Sequence, residues 1–227
     1  MHVRRLLVPV LAITIAASCG VLPGIVSDAQ YEFDRGVAAF NGGRYEEAVS
    51  RFHRATELDP NFGRAYLYLG RSYVSLKRWR EALSPLRTAY RLSPDESKKE
   101  AFDILLDALF AVGIEDLRAG DSDSAVGRFK EILGLQPTSR SGRSELVKAL
   151  IAHGGDLLAK GNIPQALSAY SEAVTLAPSS VDALLGLAKT LFRNGEVYKA
   201  WQTAQEAMKI EPGNREIQFF LQQLPKQ

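Results

Sequence analysis

Few side chains in this 227-residue chain are placed to do chemistry. Its one cysteine, Cys19, ends the apolar run Leu6–Ser18, and its three histidines are His2, His53 and His153. A single cysteine makes no intramolecular disulfide and no cysteine-based zinc site within one chain. It is instead the one position with distinctive covalent chemistry. His53 and His153 lie far apart, each without a Cys, His or Asp partner at metal-ligand spacing. His153 falls on a face between helices and reads as a satisfied core histidine. No Ser/His/Asp ordering, phosphate-cradling glycine loop or HExxH pattern stands out. Asp121 and Asp123 in "GDSDS" begin like a calcium loop, but the acidic ligands needed further on are missing, which leaves a polar turn. Trp79 and Trp201 sit at helical spacing among core positions and read as packing. The expectation is a protein without catalytic residues, metal, cofactor or small-molecule substrate.

Composition bounds the class of partner. Apolar residues make up 46% and charged residues 24%, the balance of a folded body. The net charge is +2, and Arg4 and Arg5 account for it; from Cys19 onward 26 basic residues face 26 acidic ones. A neutral body offers no electrostatic reason to bind nucleic acid or an anionic surface as its main partner.

The first residues read as an address. Two arginines in Met1–Arg5 precede an uncharged, almost wholly apolar Leu6–Ser18, the layout of a secretory signal rather than of a domain's first helix. The stretch "AASC" resembles the bacterial lipoprotein signal, in which the cysteine is lipidated and becomes the first residue; Ala16 stands where leucine is usual. Three readings compete: lipidation at Cys19, ordinary cleavage after Ala16-Ala17-Ser18, and an uncleaved anchor using the charge-free run Leu6 to Val26. Pro9, Gly20, Pro23 and Gly24 weigh against the last. All three leave Arg4 and Arg5 on the cytoplasmic side and export the body of the chain. The expected organisation is a signal over 1–18, a short linker over 19–28 and a folded body over 29–224.

That body repeats. "GVAAFNGGRYEEAVSRFHRATELDP" (Gly36–Pro60) parallels "GRSYVSLKRWREALSPLRTAYRLSP" (Gly70–Pro94), with the closing prolines 34 residues apart. Small residues such as Gly36 and Ala48 suit places where two helices cross closely. Gly43, Gly120, Gly161 and Gly195 recur where a left-handed residue ends a helix, with Lys77 in that place once. Pro60, Pro94, Pro137, Pro178 and Pro212 fall between units. The pattern resembles the tetratricopeptide repeat (TPR), a 34-residue helix–turn–helix unit. Five units are expected at about 29–62, 63–96, 106–139, 147–180 and 181–214, in an all-α fold. The resemblance implies a right-handed α-solenoid of about five TPR helix-turn-helix hairpins, closed by a C-terminal capping helix over 215–224. In the third unit Asp116 replaces the usual tyrosine. The steps Pro94–Pro137 and Pro137–Pro178 are longer than 34, and "SPDE" (Ser93–Glu96) reads as a capping box. The extra residues are therefore expected to lengthen the first helices of units three and four.

The resemblance also implies a concave groove lined by the first helices, holding a helical or extended segment of a protein partner. By position this groove takes Phe33, Val37, Phe40 and Asn41 from the first unit and Arg64, Leu67, Tyr68, Arg71 and Ser75 from the second. The third gives Phe110, Ile114, Leu117 and Arg118, and the fifth Asp182, Leu185, Lys189 and Arg193. Phe33 and Val37 stand where the family's two-carboxylate clamp has lysine and asparagine, so that clamp is not expected. Among envelope proteins that look like this are lipoproteins assisting secretin and type IV pilus assembly, envelope complexes or cell-wall enzymes. The expected function is a non-enzymatic scaffold in the cell envelope, tethered to the membrane through lipid at Cys19. The alternatives are a self-assembling structural envelope protein or a pilotin-like lipoprotein of type IV pilus or secretin assembly.

Overall fold

A computed structural model describes residues 23–93 and 95–225. Cys19 and the rest of the signal stretch lie outside the described residues, as do Pro94 and part of the Ser93–Glu96 capping box. The described residues form eleven α-helices and no strand. Ten pair into five antiparallel hairpins: α1 (Pro23–Asn41) with α2 (Tyr45–Leu58), and α3 (Gly63–Ser75) with α4 (Trp79–Leu92). The series continues with α5 (Asp95–Arg118) and α6 (Ser122–Leu135), α7 (Arg140–Ala159) and α8 (Ile163–Leu176), and α9 (Val181–Arg193) and α10 (Val197–Ile210). A short helix, α11 (Arg215–Gln223), lies over the last hairpin and buries Ile217 and Phe220. Residues 23–28, expected as linker, already belong to α1.

A glycine on the first helix against a large residue on the second sets four of the five hairpins. Gly36 faces Phe52, Gly70 faces Leu86, Gly113 faces Phe129 and Gly154 faces Tyr170. A Cβ built on Gly36 would stand 2.6 Å from the Phe52 ring, so only hydrogen lets the helices close. Phe52, Leu86 and Phe129 are fully buried. Each such side chain adds roughly 1.5–3 kcal/mol by leaving water. Between the helices, four of the five turns place glycine at positive φ, from 72° at Gly43 to 84° at Gly195; Lys77 adopts 58° in the other.

The residues beyond the 34-residue unit go into helix. α5 has 24 residues and α7 has 20, against 13 in both α3 and α9. Asp116, the unusual residue of the third unit, is 1% exposed and joins three helices. Its carboxylate accepts a hydrogen bond from Arg80 on α4 and lies 3.8 Å from Nε of Arg128 on α6. Arg87 on α4 adds a two-pronged pair to Glu131 on α6 at 2.6 and 2.7 Å. Trp79 packs against the central core, as its spacing suggests. Trp201 does not: it is 44% exposed on α10, in the last hairpin among the described residues.

One apolar core runs unbroken from Leu67 to Ala183, spanning α3 to α9. Separate clusters fill the N-terminal end around Phe33 and Phe52 and the C-terminal end around Leu184 and Ile217. Among the described residues no helix is long and apolar enough to cross a membrane.

Candidate functional site: the inner face of the first helices

First helices touch one another in two runs, α1 with α3 and α3 with α5, then α7 with α9, and these make the inner layer. The residues expected on the groove divide into three groups. Phe33 and Leu67, at 2% exposure each, are core. Phe33 lies 4.9 Å from Phe62 and 5.5 Å from Tyr68 by ring centroids, while Leu67 joins the central cluster. Neither touches a ligand on the surface; both support it from beneath. Leu185, at 6% exposure, is likewise buried, in the C-terminal cluster.

A second group is accessible but already engaged. Tyr68 packs edge-on against Phe33 and Phe40 and tilted against Phe52. Arg71 lies 5.1 Å above the Phe40 ring and 4.8 Å above Tyr68, and Nη1 reaches Glu100 on α5 at 2.9 Å. It thus closes the aromatic cluster and braces α3 against α5, and its charge has a partner. Arg64 covers the Phe33 ring at 5.2 Å, a cation–π contact. Val37 packs on the N-terminal cluster. Lys189 pairs with Glu216 of α11, and Arg193 donates to the Leu158 carbonyl at 3.0 Å, tying α9 to α7.

The third group keeps an accessible side. Phe110, Ile114 and Leu117 pack half-buried against the central core, with the Phe110 ring 5.8 Å from that of Phe129, and Arg118, Asn41 and Ser75 are exposed at the C-terminal ends of their helices. Asp182 is exposed at the start of α9. Arg118 has no carboxylate partner among the described residues. The inner face is therefore an apolar strip with cations at its border.

The positions expected from the repeat omit the fourth hairpin, yet α7 contributes an opening of its own. Ala152, Gly155 and Ala159 share one of its faces, and a cavity of about 450 Å³ opens between Gly155, Ala159, Phe192 and Phe220. The recurrence of small residues at three- and four-residue spacing along α7 was the available signal.

His153 also departs from expectation. Its Nδ1 lies 3.3 Å from the Ser122 hydroxyl and its Nε2 3.6 Å from Asp123, so it has the acidic and hydroxyl neighbours that sequence spacing did not reveal. Ser122 is 5% exposed and donates its proton to Asp156 at 2.6 Å. Toward His153 the hydroxyl can only accept, the reverse of what an activated nucleophile requires. The Tyr170 hydroxyl nearby is pushed above the ordinary tyrosine range, first by burial and then by the Asp156 charge. Among the described residues no three His, Cys, Asp or Glu side chains gather as a metal site.

Stacked helical hairpins with an open inner face define an α-solenoid of the protein-interaction type. Family models described as tetratricopeptide repeat match residues 33–97 and 157–224, together more than half of the chain, and the protein is built of tetratricopeptide repeats. It is 29% identical over 108 residues to a "Protein SGT1 homolog" of Oryza sativa subsp. japonica, covering 45% of this chain and 29% of that one. It is also 29% identical over 115 residues to the "Hsp70-Hsp90 organizing protein" of Triticum aestivum, covering 51% of this chain and 18% of that one. The chain thus spans less than a third of either curated relative. Among solved structures, a TPR repeats protein of Bacteroides fragilis NCTC 9343 is similar in fold with a TM-score of 0.53. Its sequence identity is 17%, and the match covers 87% of this chain and 97% of that one.

Proposed function

We propose that this protein is a non-enzymatic interaction scaffold of the bacterial cell envelope that holds a helical or extended protein segment on its inner face. The observation that carries the reading is the half-buried apolar strip of Phe110, Ile114 and Leu117, bordered by the unpaired Arg118, with the small residues Ala152 and Gly155 accessible on the next first helix. An amphipathic segment with some acidic residues fits such a surface, laying its apolar side on the strip and its carboxylates at the rim. The relatives are consistent with partner binding: one is by name an organizing protein for Hsp70 and Hsp90.

The envelope location rests on the sequence of the first residues, where arginines, an apolar run and Cys19 come in order. Two or three acyl chains at Cys19 would hold the protein firmly, each buried methylene adding about 0.8 kcal/mol. Cys19→Ser is expected to move the protein from the membrane to the soluble fraction. Retention at the membrane would instead favour an uncleaved anchor.

The groove is tested by crosslinking in intact cells, comparing wild type with Arg118→Glu/Ala152→Glu. Both residues are exposed, so the fold is expected to survive. Loss of specific crosslinked partners supports the reading, and an unchanged set refutes it.

A further inference from the structure

The lengthening of α7 creates a second opening at the edge of the array. α7 runs 20 residues beside the 13 of α9, so its first turns overhang the start of its neighbour. Under the overhang lies a cavity of about 630 Å³. Its floor is apolar: Val147 and Ile151 of α7 with Leu176 and Ala177 at the end of α8. Its walls carry Arg140, Arg143 and Lys148 against a single carboxylate, Asp182.

The charges are not equivalent. Lys148 pairs with Glu145 at 2.7 Å, but Arg140 and Arg143 are exposed and have no carboxylate partner among the described residues. In a body whose charges cancel from Cys19 onward, two uncommitted guanidinium groups over an apolar floor are a local excess of one sign. Planar guanidinium groups bind carboxylates by two parallel hydrogen bonds, and the floor suits an aliphatic or aromatic side chain beside them.

We infer that this notch is a second anchoring site for the partner, taking an apolar side chain flanked by aspartate or glutamate in an extended segment. The assignment rests on the partner-binding reading and locates an end of the bound segment beyond the inner strip. A protein segment fits better than a membrane surface, because the cations line a cavity with an apolar floor and not a flat face.

The test is fluorescence anisotropy on the full-length chain in mild detergent. The probes are a dye-labelled peptide of sequence Glu-Glu-Leu-Phe-Glu-Glu, its Gln-Gln-Leu-Phe-Gln-Gln counterpart, and vesicles of phosphatidylglycerol in phosphatidylcholine. The acidic peptide should bind saturably and about tenfold or more tighter than the glutamine peptide, the worth of a charge-assisted hydrogen bond. Arg140→Glu/Arg143→Glu should abolish that preference, with unchanged helical circular dichroism, and Lys209→Glu, at an exposed position of α10, should leave it intact. Absence of saturable binding, equal affinity for both peptides, or indifference to the Arg140/Arg143 substitutions overturns the proposal. Vesicle binding that depends on Arg140 and Arg143, without peptide binding, overturns it in favour of a lipid headgroup. If the notch fails while Arg118→Glu/Ala152→Glu still loses crosslinked partners, the groove reading stands alone. The opposite pattern leaves only the notch.

Discussion

Tyr170 is the sharpest place to test whether close helix approach holds the array together. Its ring is 6% exposed and lies between two glycines on different hairpins, Gly154 of α7 and Gly186 of α9. A Cβ on Gly186 would stand 2.1 Å from Cε1 of the ring and 2.5 Å from Cζ, far inside the usual carbon contact of about 3.5–4.0 Å. The ring cannot slide away, because Gly154 of α7 already crowds its other edge, where even a Cβ would stand 2.8 Å from Cε2. Overpacking typically costs about 1–3 kcal/mol, and this geometry belongs at the upper end. Against it, alanine in place of glycine favours a helix interior by about 1 kcal/mol. Gly186→Ala is therefore expected to lose about 2 kcal/mol net. Urea unfolding followed by circular dichroism should show the midpoint falling by about 1 M for a slope near 2 kcal/mol/M. In a Tyr170→Leu background the same substitution should cost much less, since the atoms it strikes are gone. A Gly186→Ala protein as stable as wild type, or a cost unchanged by Tyr170→Leu, would refute the argument.

Lys77, at φ 58° in an exposed turn, occupies a place that glycine holds in the other four hairpins. Lys77→Gly should stabilise the protein by about 0.5–1 kcal/mol, read as a higher urea midpoint, because the left-handed conformation strains a side chain and not glycine. Asp121 caps α6, and hydrogen bonding from Ser124, side chain first and backbone N–H second, holds its carboxyl below the ordinary aspartate range. A lowered folded value means that its contribution is complete above the unfolded aspartate pKa and is lost as pH falls through the folded one. Asp121→Asn should thus flatten the acid limb of the stability–pH curve below about pH 4 while changing its shape little at neutral pH.

The fold was legible because its register is written in local pairs. Gly36 with Phe52, Gly70 with Leu86, Gly113 with Phe129 and Gly154 with Tyr170 keep one constant spacing, and each pair sets one crossing. The extra residues of the two long units could be read as helix because no breaker stronger than an isolated glycine interrupts them. The inner face was less legible, for two physical reasons. Position on a helix gives the direction of a side chain and not its depth, so Phe33 and Leu67 were expected at the surface and lie beneath it. The added turns also have no counterpart in the repeat. Glu100, which engages Arg71, and Arg140 and Arg143, which line the notch, all belong to those turns. The His153 cluster was not legible because Ser122 and Asp123 reach His153 only across the α6–α7 contact, and Asp156 joins it through Ser122.

The partition of the interior into one long cluster and two end clusters has a mechanical consequence. In a stacked array each hairpin leans on its neighbours, so a stretching load applied at the two ends is met first by the outermost units. The hairpin α1–α2 or the α9–α10–α11 end should peel away while α4 to α8 stay zipped. Each released 34-residue unit would add about 110 Å of slack. A chain held at one end and gripping its partner near the middle would then behave as a compliant spring on a rigid clasp. It would lengthen under tension before it let go.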